Sequence, residues 1–138
     1  MSAEGVEGGC LCGAVRYRAA GAATHATLCH CRSCRRASGA PLVAWVTFPY
    51  AGFGFVQGTP LRYRSSPPVL RSFCGACGTP LSYQHADFPD EVDVTTASLD
   101  HPESFGPADH TWTSQRLSWL RLSDDLPRFP RTRREPLL

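Results

Sequence analysis

Seven cysteines in a chain of 138 residues fall into three clusters: Cys10-Leu11-Cys12, Cys29-His30-Cys31-Arg32-Ser33-Cys34 and Cys74-Gly75-Ala76-Cys77. Thiolates are soft ligands matched to Zn(II), and two of them two or three residues apart reach one tetrahedral ion with little backbone strain. The clusters read as metal clips, with reduced, buried cysteines as the competing reading. No other feature constrains the fold as much, because segments carrying the ligands of one ion must meet in space. Seven sulfurs are one short of two closed four-thiolate sites. They suit one closed site plus one site with three protein ligands.

A Cys-x-Cys pair on an extended strand points both sulfurs to one side, since strand side chains alternate with period two. The run Cys74-Gly75-Ala76-Cys77-Gly78 suits a tight turn whose amides face the sulfurs. Joining Cys10 and Cys12 to Cys74 and Cys77 gives a closed, structural zinc site that clamps the amino-terminal strand to the middle of the chain. Cys29, Cys31 and Cys34 remain as the candidate catalytic set. Three protein ligands and one exchangeable position are the layout of a catalytic zinc, so two Zn(II) per chain are expected, one structural and one catalytic. His30 is flanked by Cys29 and Cys31 and points away from the side they share, as a packed residue rather than a fourth ligand. A thiol entering the open position would lose its proton at neutral pH and become a positioned nucleophile. Arg32, Arg35 and Arg36 surround this cluster. Arg35 and Arg36 are the candidate binding residues for the carboxylates of an acidic thiol, against the plainer reading of a solvated helix face.

The formal charge of +2 hides a segregation. All fourteen basic residues are arginine; eight lie between Gly8 and Ala86 with no carboxylate among them, whereas Asp87 to Asp109 holds seven carboxylates and no arginine. With seven thiolates on two Zn(II) the whole chain becomes slightly anionic while residues 8–86 stay cationic. That favours an anionic small molecule and argues against a nucleic-acid partner. No apolar run approaches the roughly 20 residues that span a bilayer, and the first 25 residues lack the charged start and apolar centre of a signal peptide. A soluble, cytoplasmic protein without a membrane partner is expected, in a compartment that disfavours disulfides.

One domain is expected, with its core over about residues 8–130 and a loose tail at 131–138. Twelve Gly and twelve Pro argue for many turns and short elements. The segment Gly13–Ala19 reads as a strand with Val15 and Tyr17 on one face and Arg16 and Arg18 on the other. Further strands are expected at 26–29, 42–48, 61–63, 70–73, 81–84 and 92–98, with the apolar 42–48 run buried on both faces. Residues 33–38 form a helical turn or two, closed by Gly39. Strands recurring about every ten residues predict an all-β domain. Trp112, Leu117, Trp119, Leu120 and Leu122 are expected to cover a sheet face, and the stretch after Pro127 to be loosely held. His25, His85, His101 and His110 carry no signal beyond structure unless a partner lies in hydrogen-bond reach. The oligomeric state is open between monomer and homodimer.

Taken together, Gly9-Cys10-Leu11-Cys12-Gly13-Ala14-Val15-Arg16-Tyr17, Cys29 to Arg36 with Ser38-Gly39-Ala40, Gly58, Tyr63, Arg71 to Leu81, Ala97 to Asp100 and Pro107 to Trp112 resemble the glutathione-dependent formaldehyde-activating enzyme family, also called the CENP-V/GFA domain. The ordered series CxC, CxCxxC, CxxCG is a specific signal. The resemblance implies a β-tent of small antiparallel sheets with zinc clips and short helical turns. It implies the same metal partition, with Cys10, Cys12, Cys74 and Cys77 structural and Cys29, Cys31 and Cys34 catalytic. It also implies a carbon-sulfur lyase that condenses glutathione with formaldehyde to S-hydroxymethylglutathione, an arginine or water stabilising the alkoxide. The acidic stretch from Asp87 to Asp93 would repel an anionic thiol if it lay at the second zinc. A non-catalytic zinc-scaffolded binding or chaperone-like protein is the alternative from another class, and nucleic-acid binding is third.

Overall fold

In the computed structural model, residues 5–134 are described. The strands are β1 (Val6–Gly9), β2 (Arg16–Ala19), β3 (His25–Cys29), β4 (Val43–Pro49), β5 (Phe53–Gln57), β6 (Leu61–Ser66), β7 (Val69–Phe73), β8 (Pro80–His85), β9 (Glu91–Thr95) and β10 (Asp109–Thr111). Among the described residues, the α-helix α1 (Arg32–Ser38) and four short 3₁₀ turns complete the set. The chain is mostly β, as the recurrence of short strand segments predicts. No helix among the described residues is long and apolar enough to cross a membrane.

Two sheets form, one of three strands in the order β1-β2-β5 and one of seven in the order β10-β3-β4-β9-β8-β7-β6. Alternation running into β2 buries Val15, just before the strand, and Tyr17 within it, and these meet Val46 and Phe48 of β4 and Val92 and Val94 of β9 in the main core. That core lies between the sheets. Because strand side chains alternate, the same strands send a second set of residues to the opposite face of the large sheet. Val43 and Trp45 of β4 pack there against Cys29 and Cys34, so the 42–48 run is buried on both faces.

Cross-strand register fixes the composition of that second face. Arg71 pairs with Tyr83, Tyr83 with Asp93, and Asp93 with Thr47, so one row of opposed residues crosses β7, β8, β9 and β4. Directly opposed residues share a face and lie close enough to interact. Thr47 donates to Asp93 Oδ1 at 2.6 Å, and the Arg71 guanidinium lies 5.1 Å from the Tyr83 ring centroid.

Several expectations need correction. The β10–β3 pairing is parallel, and the larger sheet has seven strands, so small antiparallel sheets describe only part of the architecture. Strands β1, β5 and β10 are additional: the first and second carry glycines that mask alternation, and the third is three residues long. Trp119 is 67% exposed and Leu122 is also exposed, so neither covers a sheet. The stretch after Pro127 is not loose within the described residues. Phe129 N donates to His110 O, Trp112 N donates to Arg131 O, and Arg133 pairs with Asp109 at 2.9 Å. The backbone of 127–131 thus runs along β10 as a partner. Residues 135–138 of the expected tail lie outside the described residues.

Candidate metal centres

All seven cysteines are free thiols, and they gather into two groups. Cys10, Cys12, Cys74 and Cys77 form the first, with their sulfurs all within 4.8 Å of one another. Cys10 Sγ lies 3.7 Å from Cys12 Sγ, and Cys12 Sγ lies 3.8 Å from Cys74 Sγ. A tetrahedral zinc with Zn–S of about 2.3 Å requires sulfurs about 3.8 Å apart. The spacing therefore fits the ion. Amides aim at these sulfurs: Val15 N donates to Cys10 Sγ at 3.3 Å, while Ala76 N and Cys77 N donate to Cys74 Sγ at 3.4 Å each. Thr79 Oγ1 lies 3.2 Å from Cys77 Sγ and, as the largest influence, helps hold that thiol down to about 5. Gly78, at φ +83°, closes the turn in a conformation that glycine adopts without strain.

Cys29, Cys31 and Cys34 form the second group, again with sulfurs within 4.8 Å of one another. Cys29 ends β3, Cys31 caps α1 with its Sγ accepting from Cys34 N at 3.2 Å, and Cys34 is the buried residue of the first turn of α1. Gly39, at φ +74°, terminates the helix as expected. Hydrogen bonds from Cys29 and Cys34 stabilise a thiolate on Cys31 and push its thiol well down, while Cys29 is pushed far up. Three sulfurs crowded in this way share a negative charge poorly by themselves. A divalent cation relieves that crowding.

The three-sulfur group lines a cleft of about 380 Å³. Trp45, Tyr83 and Trp112 supply apolar walls, and the Trp45 and Tyr83 rings pack at 5.7 Å. Trp112 takes a left-handed backbone conformation at φ +57°, rare for a bulky residue, and its amide is anchored to Arg131 O at 2.8 Å. That backbone sets its ring against the cysteines.

The charged residues of the cleft differ from those the sequence suggested. Neither Arg35 nor Arg36 lines it. Arg35 is spent on backbone carbonyls, with Nε donating to His30 O at 3.4 Å and a terminal nitrogen to Gln115 O at 3.2 Å. The cation facing the sulfurs is Arg71, which is only 9% exposed and directs its two terminal nitrogens to Cys34 Sγ at 3.8 and 3.7 Å. Its Nε donates to Ser65 Oγ at 3.0 Å. An arginine at an inward position between buried Val69 and Ser72 was the available signal. Glu91 and Asp93 also line the cleft, so the acidic stretch does reach the three-cysteine site. Burial pushes the Asp93 carboxyl up to about 6, against the opposing hydrogen bond from Thr47.

His30 turns to the far side of β3. Its Nε2 lies 2.9 Å from His110 Nδ1, and His110 Nε2 lies 3.1 Å from both Asp124 oxygens. His110 thus has the partners that the sequence could not supply.

A sequence model of the family described as "Glutathione-dependent formaldehyde-activating enzyme" matches residues 5–115. A Schizosaccharomyces pombe protein named as an uncharacterized lyase is 30% identical over 88 residues, covering 59% of this chain and 58% of the relative. The chain therefore spans less than two thirds of that relative's length. A crystal structure of a Rhodobacter sphaeroides protein is similar with a TM-score of 0.62 and 27% identity, over 76% of this chain and 99% of the other.

Proposed function

This chain belongs to the glutathione-dependent formaldehyde-activating enzyme family, and on that premise we propose that it is a zinc-dependent carbon-sulfur lyase that forms or cleaves the S-hydroxymethyl adduct of a glutathione-like thiol and a formaldehyde-like aldehyde. The observation that carries this reading is the difference between the two cysteine groups. Four sulfurs make a closed set, while Cys29, Cys31 and Cys34 make a three-sulfur set on the wall of a cleft. The lyase named in S. pombe adds support for the reaction class.

Cys10, Cys12, Cys74 and Cys77 would hold a structural zinc, and Cys29, Cys31 and Cys34 a catalytic one. When bound there, the ion supplies Lewis acidity and a position at which an incoming thiol is held as thiolate. Trp45, Tyr83 and Trp112 limit water around the reacting sulfur and strengthen electrostatic contacts inside the cleft. Asp93 Oδ1 is engaged by Thr47, which leaves Oδ2 to carry a proton on the cleft wall. A carboxyl pushed up to about 6 is suited to take the thiol proton and return it to the oxygen of the adduct. The reaction balances with no other reagent: one S–C bond and one O–H bond form as the thiol S–H and the carbonyl π bond are lost.

Exchange NMR of formaldehyde with glutathione tests the proposal. Exchange into S-hydroxymethylglutathione should be faster with the zinc-loaded protein than with buffer, and Cys34→Ser should abolish the gain. Acceleration with another thiol but not glutathione would change the thiol. A fully metallated protein that accelerates exchange with no thiol would support a zinc-scaffolded binding protein instead.

A further inference from the structure

A cluster of three thiolates around a divalent ion already carries net negative charge, and an anionic fourth ligand adds another. Such an accumulation in a half-buried cleft is costly unless a fixed cation lies against it. Among the described residues, five charged side chains line this cleft: Arg71, Arg133, Arg134, Glu91 and Asp93. Arg133 is paired with Asp109, and Arg134 with Glu91. Asp93 is acidic and opposes an incoming anion. Among the described residues, Arg71 is thus the cleft cation without a carboxylate partner.

Its surroundings hold it in that role. Nε is tied to Ser65 and the guanidinium plane lies over Tyr83, so the fork is fixed rather than free to swing toward solvent. Both terminal nitrogens approach one sulfur, and each terminal nitrogen of a guanidinium carries two hydrogens. N–H groups beyond those aimed at Cys34 are available to a ligand beside it. A lysine ammonium would keep the charge without the fork.

We propose that Arg71 is the specificity-determining residue of the three-cysteine site, selecting an anionic fourth ligand such as a thiolate over a neutral one such as water or an amine. The inference deepens the function proposed above, because a thiol reaches the site as a productive nucleophile only if the anion is the favoured form. It uses the charge and placement of Arg71 alone, and it does not depend on which aldehyde or thiol is turned over.

The test uses the full-length protein loaded with Co(II), whose visible absorption reports ligand exchange at an open thiolate site and stays constant at a closed one. Azide and thiocyanate serve as anionic probes and imidazole as the neutral probe. Arg71→Met should weaken both anions about tenfold or more while leaving imidazole within about twofold. Arg71→Lys, which keeps the charge if the methionine variant fails to fold, should hold anion affinity within about threefold of the parent. Equal weakening of anions and imidazole would overturn the proposal, as would unchanged anion binding in Arg71→Met or full loss in Arg71→Lys. If the protein shows this anion preference but accelerates exchange with no thiol, the substrate reading fails and the role of Arg71 stands.

Discussion

His30 and His110 stack with ring centroids 5.1 Å apart and join Nε2 to Nδ1 at 2.9 Å, although 80 residues separate them. The pair fastens the loop carrying Asp124 to the junction between β3, which ends at Cys29, and the α1 cap at Cys31. His30 N also donates to Thr111 O at 3.0 Å, so both backbone and ring of His30 are tied to β10. The ligand-bearing end of β3 is thereby braced from behind.

His110→Phe keeps a ring in place but leaves the buried His30 Nε2 without its partner. Loss of about 1–3 kcal/mol of stability is expected by urea unfolding. Chelator competition should release metal from the three-cysteine site earlier, with little change at the four-cysteine site. Equal loss from both sites would mean that the brace is not local.

Metal analysis of the purified protein should find two zinc per chain. Cys34→Ser should lose one ion and remain folded, whereas Cys77→Ser should lose solubility or cooperative unfolding, because the four-cysteine site joins segments that are 62 residues apart. Similar collapse in both variants would make the three-cysteine site structural.

Asp93 provides a pH signature. A carboxyl whose native value lies above its unfolded one contributes stability while protonated and loses it as pH rises from about 4 through about 6. Asp93→Asn still accepts from Thr47 and carries no charge. It should be more stable than the parent above pH 6, by on the order of 1–2 kcal/mol. Carboxyl carbon NMR should place the Asp93 titration near 6; a titration near 4 would rule out a burial effect.

The main core has one contact with little room for change. Tyr17 is fully buried, and its hydroxyl lies 2.7 Å from Ser98 Oγ. A Cβ added at Gly8 would come within 2.6 Å of Ser98 O and also strike the Tyr17 ring. Gly8→Ala should therefore cost about 1–3 kcal/mol by thermal unfolding. Tyr17→Phe removes only the hydroxyl and should cost about 1 kcal/mol.

Local signals were legible where the chemistry is local. The strand at β2 follows from the alternation of Val15, Arg16, Tyr17 and Arg18, and the helix end follows from Gly39. Cysteine spacing gave the two groups because a tetrahedral ion accepts few arrangements of short clips. Arg35 and Arg36 are not among the residues that line the cleft, because closeness along a helix says little about direction. One residue of helix turns a side chain by about 100°, so Arg35 and Arg36 leave the cleft that Ser33 and Cys34 line. Trp119 is exposed because an aromatic residue in an irregular segment has no period to fix its face.

Which sulfurs can share an ion, the build from short strands and the family resemblance are all written in local residue patterns. The row of Arg71, Tyr83, Asp93 and Thr47 beside the three cysteines arises from strand pairing, since antiparallel register couples residues far apart in the chain. The parallel seat of β10, the bracing of Cys29 and Cys31 through His30, and the approach of the acidic stretch to the cleft have the same origin. Each depends on non-local pairing, which sets backbone hydrogen bonds between distant segments and leaves little trace in either segment alone.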